Sequence, residues 1–238
     1  MSRKRYVVIM AAGSGTRMGA QTPKQFLELG GKMILRRTIE TFLEACPGIS
    51  VITVLPDNFV SYWKEYCYSH GFICPQIIVK GGITRFHSVR NALAKVPEGA
   101  VVAVHDGVRP LVSAALVKDM FERAESTPAL IPVIPCVDTM KVLQKKVWDD
   151  GSETLSAVPG QSVDRSVLYG AQTPQIFHSE LLKGAYGQAY DTDFTDDASV
   201  VERYGKSLSY VMGERLNIKI TTREDLVLAE AVLNMSEV

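Results

Sequence analysis

The chain has 238 residues, 46% of them hydrophobic, and its 26 Lys plus Arg balance 26 Asp plus Glu. That length supports one large α/β domain with a substantial core, with two small domains as the alternative, and zero formal charge argues against broad binding to nucleic acid or an anionic membrane. The four cysteines include no C-x-x-C pair, which fits reduced thiols in a cytoplasmic protein better than a disulfide framework or a structural zinc site.

Tyr6–Ala12 is a continuous apolar run, the pattern of a strand buried on both faces. It is too short for a signal peptide or for a membrane helix of roughly 20 apolar residues. A helical pattern follows near Met33–Ala45, then a strand at Ser50–Leu55 and a helix near Val60–His70. Gln76–Val79 is strand-like, Thr84–Val96 helical, Ala100–Val104 a strand, Ser113–Ala124 helical and Ala129–Ile134 a strand. This alternation predicts a mostly parallel twisted sheet with helices on both faces and a ligand site at the carboxyl ends of the strands.

The rhythm breaks between Met140 and Gln175. Met140–Val147 and Thr154–Val158 flank the turn signal Asp149-Asp150-Gly151. They read as a projecting β-arm, with an irregular surface loop as the alternative. Helices are expected near Ser179–Ala189 and Asp196–Tyr204, then a short strand at Asn217–Ile220 and a helix over Thr222–Asn234. There is no internal repeat.

The loop after the first strand reads Ala11-Ala12-Gly13-Ser14-Gly15-Thr16-Arg17. Small residues let the backbone approach a ligand, and successive N–H groups cradle phosphate oxygens. A Walker A loop is excluded because no Lys-Ser or Lys-Thr follows, and a dinucleotide fingerprint because Met18 stands where its third glycine belongs. Arg17 and Lys24, the latter in Pro23-Lys24-Gln25-Phe26, add two cations. They suit a reaction whose transition state spreads negative charge over a phosphoryl group.

Gly81-Gly82-x-Thr84-Arg85-x-x-Ser88 opens the third helix. Ser88 there fits either a base contact beside the Gly82 backbone or an exposed helix-start serine. His105-Asp106-Gly107-Val108-Arg109-Pro110 ends the fourth strand. Asp106 is placed to hold Mg²⁺ on a triphosphate or to pair with Arg109. His105 reads as structural. Thr139 follows the fifth strand, Arg165 lies in the arm, and Thr173 stands in Gln172-Thr173-Pro174-Gln175; an Arg and a Thr suit a second phosphate. Thr195-Asp196-Asp197-Ala198-Ser199 reads first as a helix start, with a substrate-hydroxyl or metal contact as the lesser reading. Lys219 faces either the site or solvent, and spacing does not choose.

These segments, in this order, resemble the methylerythritol-phosphate cytidylyltransferases of the non-mevalonate isoprenoid pathway. The match runs from about Tyr6 to Leu233 and rests on A-A-G-S-G-T-R-M, P-K-Q-F, G-G-x-x-R-x-x-S-V, H-D-G-V-R-P, D-T-M-K, V-D-R, Q-T-P-Q-x-F, T-D-D-A-S and N-I-K-I-T. The resemblance implies a single Rossmann-like nucleotidyltransferase domain over 1–238, with the arm at about 140–172 building a homodimer. It implies attack of the 4-phosphate of methylerythritol phosphate on the α-phosphorus of CTP, with Mg²⁺. By motif, Arg17 and Lys24 stabilise the transition state. Arg165, from the partner's arm, and Lys219 position the acceptor phosphate. Thr139, Thr173 and Asp196 hold the acceptor. Ala11, Ala12, Gly13, Gly15, Gly82 and Ser88 bind the nucleotide, and Asp106 lies near Mg²⁺ and the ribose. Ile83 stands where some members carry an acid, so a ribose contact from that side chain is lost. Ribitol-phosphate cytidylyltransferases share the first loop and the arm and form the alternative. UTP- or GTP-using synthases follow, and a non-catalytic nucleotide sensor is remote because both loop cations are present.

Overall fold

In this computed structural model the described residues are 2–13 and 22–236. In chain order they form β1 (Arg5–Met10), β2 (Glu28–Leu29), β3 (Lys32–Met33), α1 (Ile34–Ala45), β4 (Ser50–Leu55), α2 (Val60–Ser69), β5 (Gln76–Lys80) and α3 (Arg85–Leu93). Then come β6 (Val101–Asp106), α4 (Ala114–Arg123), β7 (Ala129–Pro135), β8 (Leu143–Val147) and β9 (Glu153–Ala157). The chain continues with β10 (Tyr169–Ala171), β11 (Gln175–His178), α5 (Ser179–Ala185), α6 (Asp197–Arg203), β12 (Ser209–Met212) and α7 (Arg223–Ser236).

The central strand β1 pairs in parallel with β4 on one side and β6 on the other, and β5 extends the sheet beyond β4. Past β6 the antiparallel β11 is inserted, then β7, with β12 parallel on the far edge of β7. β10 runs antiparallel along the carboxyl half of β7. The apolar run of β1 is continuous because both faces are covered. Val7 and Ile9 join the core formed with α1, α2 and α4, while Val8 joins the one formed with α3, α5 and α6. The fold is therefore a Rossmann-like α/β sheet with helices on both faces, as the alternation predicts.

Two local features depart from the sequence reading. The expected strand at Asn217–Ile220 does not form, and the edge beside β7 is taken by β12. The alternation of Ile218, Lys219 and Ile220 instead serves a small core. Ile220 is fully buried with Leu29, Ile34, Val108 and Ala229, and its N–H donates to Val108 O at 2.9 Å without a ladder. The second feature is the β2–β3 hairpin, whose turn residues Gly30 and Gly31 have φ of +53° and +70°. A two-residue turn with both φ positive demands glycine-like freedom.

The arm is a paired hairpin, not an irregular loop. β8 and β9 are in antiparallel register from Leu143↔Ala157 to Val147↔Glu153, and every residue of both strands is exposed. Among the described residues no helix is long and apolar enough to cross a membrane.

Phe42 is fully buried and meets the His105 ring edge-on at a centroid distance of 4.9 Å. Phe42→Ala is expected to cost about 3–5 kcal/mol, read as a lower urea midpoint at an unchanged slope.

Candidate active site

The carboxyl ends of β1, β5 and β6 open into a cavity of about 510 Å³. Its first wall is the segment after β1. Ala11 N–H donates to Val54 O at 2.9 Å and Gly81 N–H to Leu55 O at 2.8 Å, so both loops leave the sheet in register. A Cβ on Gly81 would lie 2.6 Å from that of Ala12, so only glycine permits the approach. Gln25 is buried, and its amide donates to Ala11 O at 2.7 Å and Gly13 O at 3.1 Å. With both carbonyls tied down, the loop backbone is fixed where it lines the cavity.

The second wall is the start of α3. Thr84 caps the helix by accepting from His87 N–H. Ser88 is buried, which overturns its reading as an exposed serine. Its Oγ accepts from Gly82 N–H at 2.9 Å and donates to Thr84 O at 2.9 Å.

The third wall is Asp106. Its Oδ2 faces Lys219 Nζ at 2.9 Å and Arg109 Nε at 3.4 Å. Burial alone would raise the carboxyl, but the charges of Arg85, Lys219 and Arg109 outweigh it and hold Asp106 far below the usual carboxylate range. Lys219 therefore faces the site, the choice that spacing left open. Its segment is stitched in place by Asn217, whose amide donates to Thr173 O at 2.9 Å and whose carbonyl accepts from Arg109 Nη1 at 2.7 Å.

Behind Asp106 runs a chain of hydrogen bonds. Asp106 N–H donates to Thr173 Oγ1 at 3.1 Å, and that hydroxyl lies 3.1 Å from His105 Nδ1. His105 Nε2 lies 3.2 Å from Arg109 O, an acceptor only, so the proton sits on Nε2 and Nδ1 accepts from Thr173. Burial pushes His105 down to about 4, the Asp106 charge only partly offsetting it. The imidazole is a neutral structural group.

The cavity thus gathers Ala11, Ala12, Gly13, Lys24, Gly82, Ser88, Asp106 and Lys219. Gly15 and Arg17 lie outside the described residues. Thr173 supports Asp106 from behind rather than lining the cavity. Thr139 and Arg165 are exposed at the base of the arm, where Arg165 Nη1 donates to Val137 O at 3.0 Å. Asp196 caps α6: Oδ1 accepts from Ser199 N–H at 2.9 Å and Oδ2 from Gln175 Nε2 at 2.7 Å. Three residues escaped the sequence reading. Gln25, Arg85 and Thr221 also line the cavity; in the sequence Gln25 is visible only as a polar neighbour of Lys24, and Arg85 and Thr221 only as members of their motifs.

Among the described residues no group of three or more His, Cys, Asp or Glu side chains gathers as a metal site. Asp106 still fits Mg²⁺, which takes one or two carboxylates plus substrate phosphates rather than an all-protein cage. Both ion pairs make their closest contact through Oδ2, so Oδ1 is the oxygen that could reach such an ion.

Glycine-lined strand ends, the three cations Lys24, Arg85 and Lys219 and one ionised aspartate make this cavity suited to a ligand that carries phosphates. The comparisons narrow the class. The family model described as "IspD: 2-C-methyl-D-erythritol 4-phosphate cytidylyltransferase" matches residues 6–235. A protein of that name from Phocaeicola vulgatus is 46% identical over 229 residues, covering 96% of this chain and 99% of that one. The crystal structure of 4-diphosphocytidyl-2C-methyl-D-erythritol synthase from Anaerococcus prevotii is similar at a TM-score of 0.77 and 28% identity, covering 98% of this chain and 99% of that one. That of 2-C-methyl-D-erythritol 4-phosphate cytidylyltransferase from Thermus thermophilus is similar at a TM-score of 0.71 and 30% identity, over 97% and 99% of the two chains. The chain belongs to the 2-C-methyl-D-erythritol 4-phosphate cytidylyltransferase family.

The buried imidazole makes an acid-side prediction. Its folded value of about 4 lies below the ordinary 6.5, so the unfolded chain takes up this proton first. The contribution of His105 is full above about pH 6.5 and falls as pH drops toward 4, by about 3 kcal/mol in all at ~1.4 kcal/mol per pH unit. Urea midpoints at about pH 7 and about pH 4.5 are expected to differ less in His105→Asn than in the parent.

Proposed function

We propose that this chain transfers CMP from CTP to 2-C-methyl-D-erythritol 4-phosphate, giving 4-diphosphocytidyl-2-C-methyl-D-erythritol and pyrophosphate. The observation that carries the reading is the cavity that brings Ala11–Gly13, Lys24, Gly82, Ser88, Asp106 and Lys219 together at the strand ends. Backbone N–H groups and Gly82 receive the nucleotide, Ser88 fixing the Gly82 N–H. The acceptor phosphate attacks the α-phosphorus in line and pyrophosphate leaves. A phosphate nucleophile is already ionised, so no general base is needed, in keeping with the neutral, enclosed His105. Lys24 and Arg17 stabilise charge on the transferring group. Lys219 holds the acceptor phosphate at the edge of the cavity. Asp106 would hold Mg²⁺ together with the triphosphate, and the ion would neutralise phosphate charge there.

The acceptor side is completed by Thr139 and Arg165, and Thr173 contributes from behind by holding Asp106. Asp196 offers it only the lone pairs that its helix-cap bonds leave. In this reading the protein is one catalytic domain over 1–238 and works in the cytoplasm as a homodimer. The exposed hairpin supports the dimer, since two bare strands bury their faces best against a second copy. Arg165 then acts in the neighbouring site. Ribitol 5-phosphate is the competing acceptor.

With CTP, Mg²⁺ and 2-C-methyl-D-erythritol 4-phosphate the protein is expected to release pyrophosphate. Turnover with ribitol 5-phosphate alone would transfer the assignment to that acceptor. Lys24→Ala is expected to lower kcat by ~10²–10³-fold, the worth of a transition-state donor, with a far smaller change in CTP affinity. Sedimentation should show a dimer, and a fully active monomer would remove Arg165 from the mechanism.

A further inference from the structure

One cation of the cavity wall acts on Asp106 through its charge but has no ligand contact in the transfer as described. Arg85 is the first residue of α3, directly after its Thr84 cap. A cation at a helix N-terminus opposes the helix dipole, so the helix itself gains nothing from it. The guanidinium Nη2 donates to Asp197 Oδ2 at 2.5 Å across 112 residues of sequence. Asp197 is fully buried, and its Oδ1 accepts from Tyr186 OH at 2.6 Å. The Tyr186 ring is itself held, stacked on Phe86 at 4.7 Å between centroids.

This network is closed at one end and open at the other. Tyr186 and Asp197 are sealed in the core, whereas the Arg85 side chain keeps 30% of its surface and lines the cavity with Lys24 and Asp106. Burying an ion pair often stabilises a fold no better than apolar packing does. Stability therefore does not account for a carboxylate with both oxygens engaged behind an arginine that faces a binding site. Asp197 takes one of the five N–H donors of the guanidinium, and the exposed part meets the cavity.

We propose that Arg85 donates to an oxygen acceptor of the bound nucleotide, and that Asp197 and Tyr186 are positioning residues that hold its guanidinium against the cavity. The inference rests on CTP being the nucleotide. The acceptor is an oxygen of the triphosphate or of the cytidine, and inorganic tripolyphosphate separates the two.

The test is calorimetric titration of the full-length protein with CTP and with tripolyphosphate, without acceptor, alongside steady-state kinetics and melting temperatures. Arg85→Lys and Asp197→Asn are expected to raise the Kd for CTP by about 10-fold and Tyr186→Phe by about 3-fold, with kcat at saturating CTP within about 3-fold of the parent, because a ground-state hydrogen bond to a charged donor is lost or misaligned. A parallel loss for tripolyphosphate places the contact on the phosphates, and a loss for CTP alone places it on the cytidine. Tyr186→Phe keeps the ring stack and Arg85→Lys keeps the charge, so the test survives if Asp197→Asn fails to fold. Lower melting temperatures with CTP binding unchanged in Arg85→Lys and Tyr186→Phe would overturn the inference and reduce the network to a structural one. A parent protein that does not bind CTP would instead overturn the functional reading on which the inference rests.

Discussion

The site depends on one buried carboxylate kept ionised by cations. Asp106 sits at the end of β6, where burial penalises its charge, and Arg85, Lys219 and Arg109 pull it the other way. The three cations come from α3, from the segment before α7 and from the turn after β6. The carboxylate thus gathers parts of the chain that the sheet alone would leave apart. Removing its charge would leave Lys219 and Arg109 without the carboxylate they share, and among the described residues no other acid lines the cavity. A ligand carrying several negative charges is the natural complement of such a wall.

The rest of the architecture serves that placement. Parallel pairing of β1 with β4 and β6 brings the strand ends level, and glycine at position 81 lets two loops meet at a distance that a side chain would forbid. Gln25 fixes the backbone of Ala11 and Gly13. The Asp106–Thr173–His105 chain fixes the other side, and it works because His105 stays neutral across the physiological range. The groups around the cavity are therefore held before any ligand arrives, which is the condition for electrostatic preorganisation.

The sheet was legible where the apolar pattern is strong. Ser50–Leu55 is read from sequence with the boundaries that the structure has, because a strand buried on both faces leaves no competing period. β12 was missed because Ser209–Met212 lies at an edge and is mostly exposed. Asn217–Ile220 alternates like a strand but uses that alternation to reach a small core on one side and Asp106 on the other. Gly13, Gly82, Lys24, Ser88 and Asp106 line the cavity, and they were legible because short motifs mark the segments that follow the strands. The direction of Lys219 was not, since it depends on Asn217 reaching Thr173 and Arg109. The pairing of Arg85 with Asp197 is a contact between distant segments, and no local pattern announces it. Arg165 is exposed at the base of the arm and does not line the cavity, and its sequence neighbourhood gives no sign of that placement.

The account as a whole holds that this cavity receives CTP and passes on its α-phosphoryl group with the cytidine attached. The most direct measurement uses CTP labelled radioactively at the α-phosphorus, with 2-C-methyl-D-erythritol 4-phosphate and Mg²⁺. The account predicts that the label appears in the sugar-alcohol product and that none appears in pyrophosphate. Label recovered as free CMP, or left in CTP while the acceptor is unchanged, would contradict it.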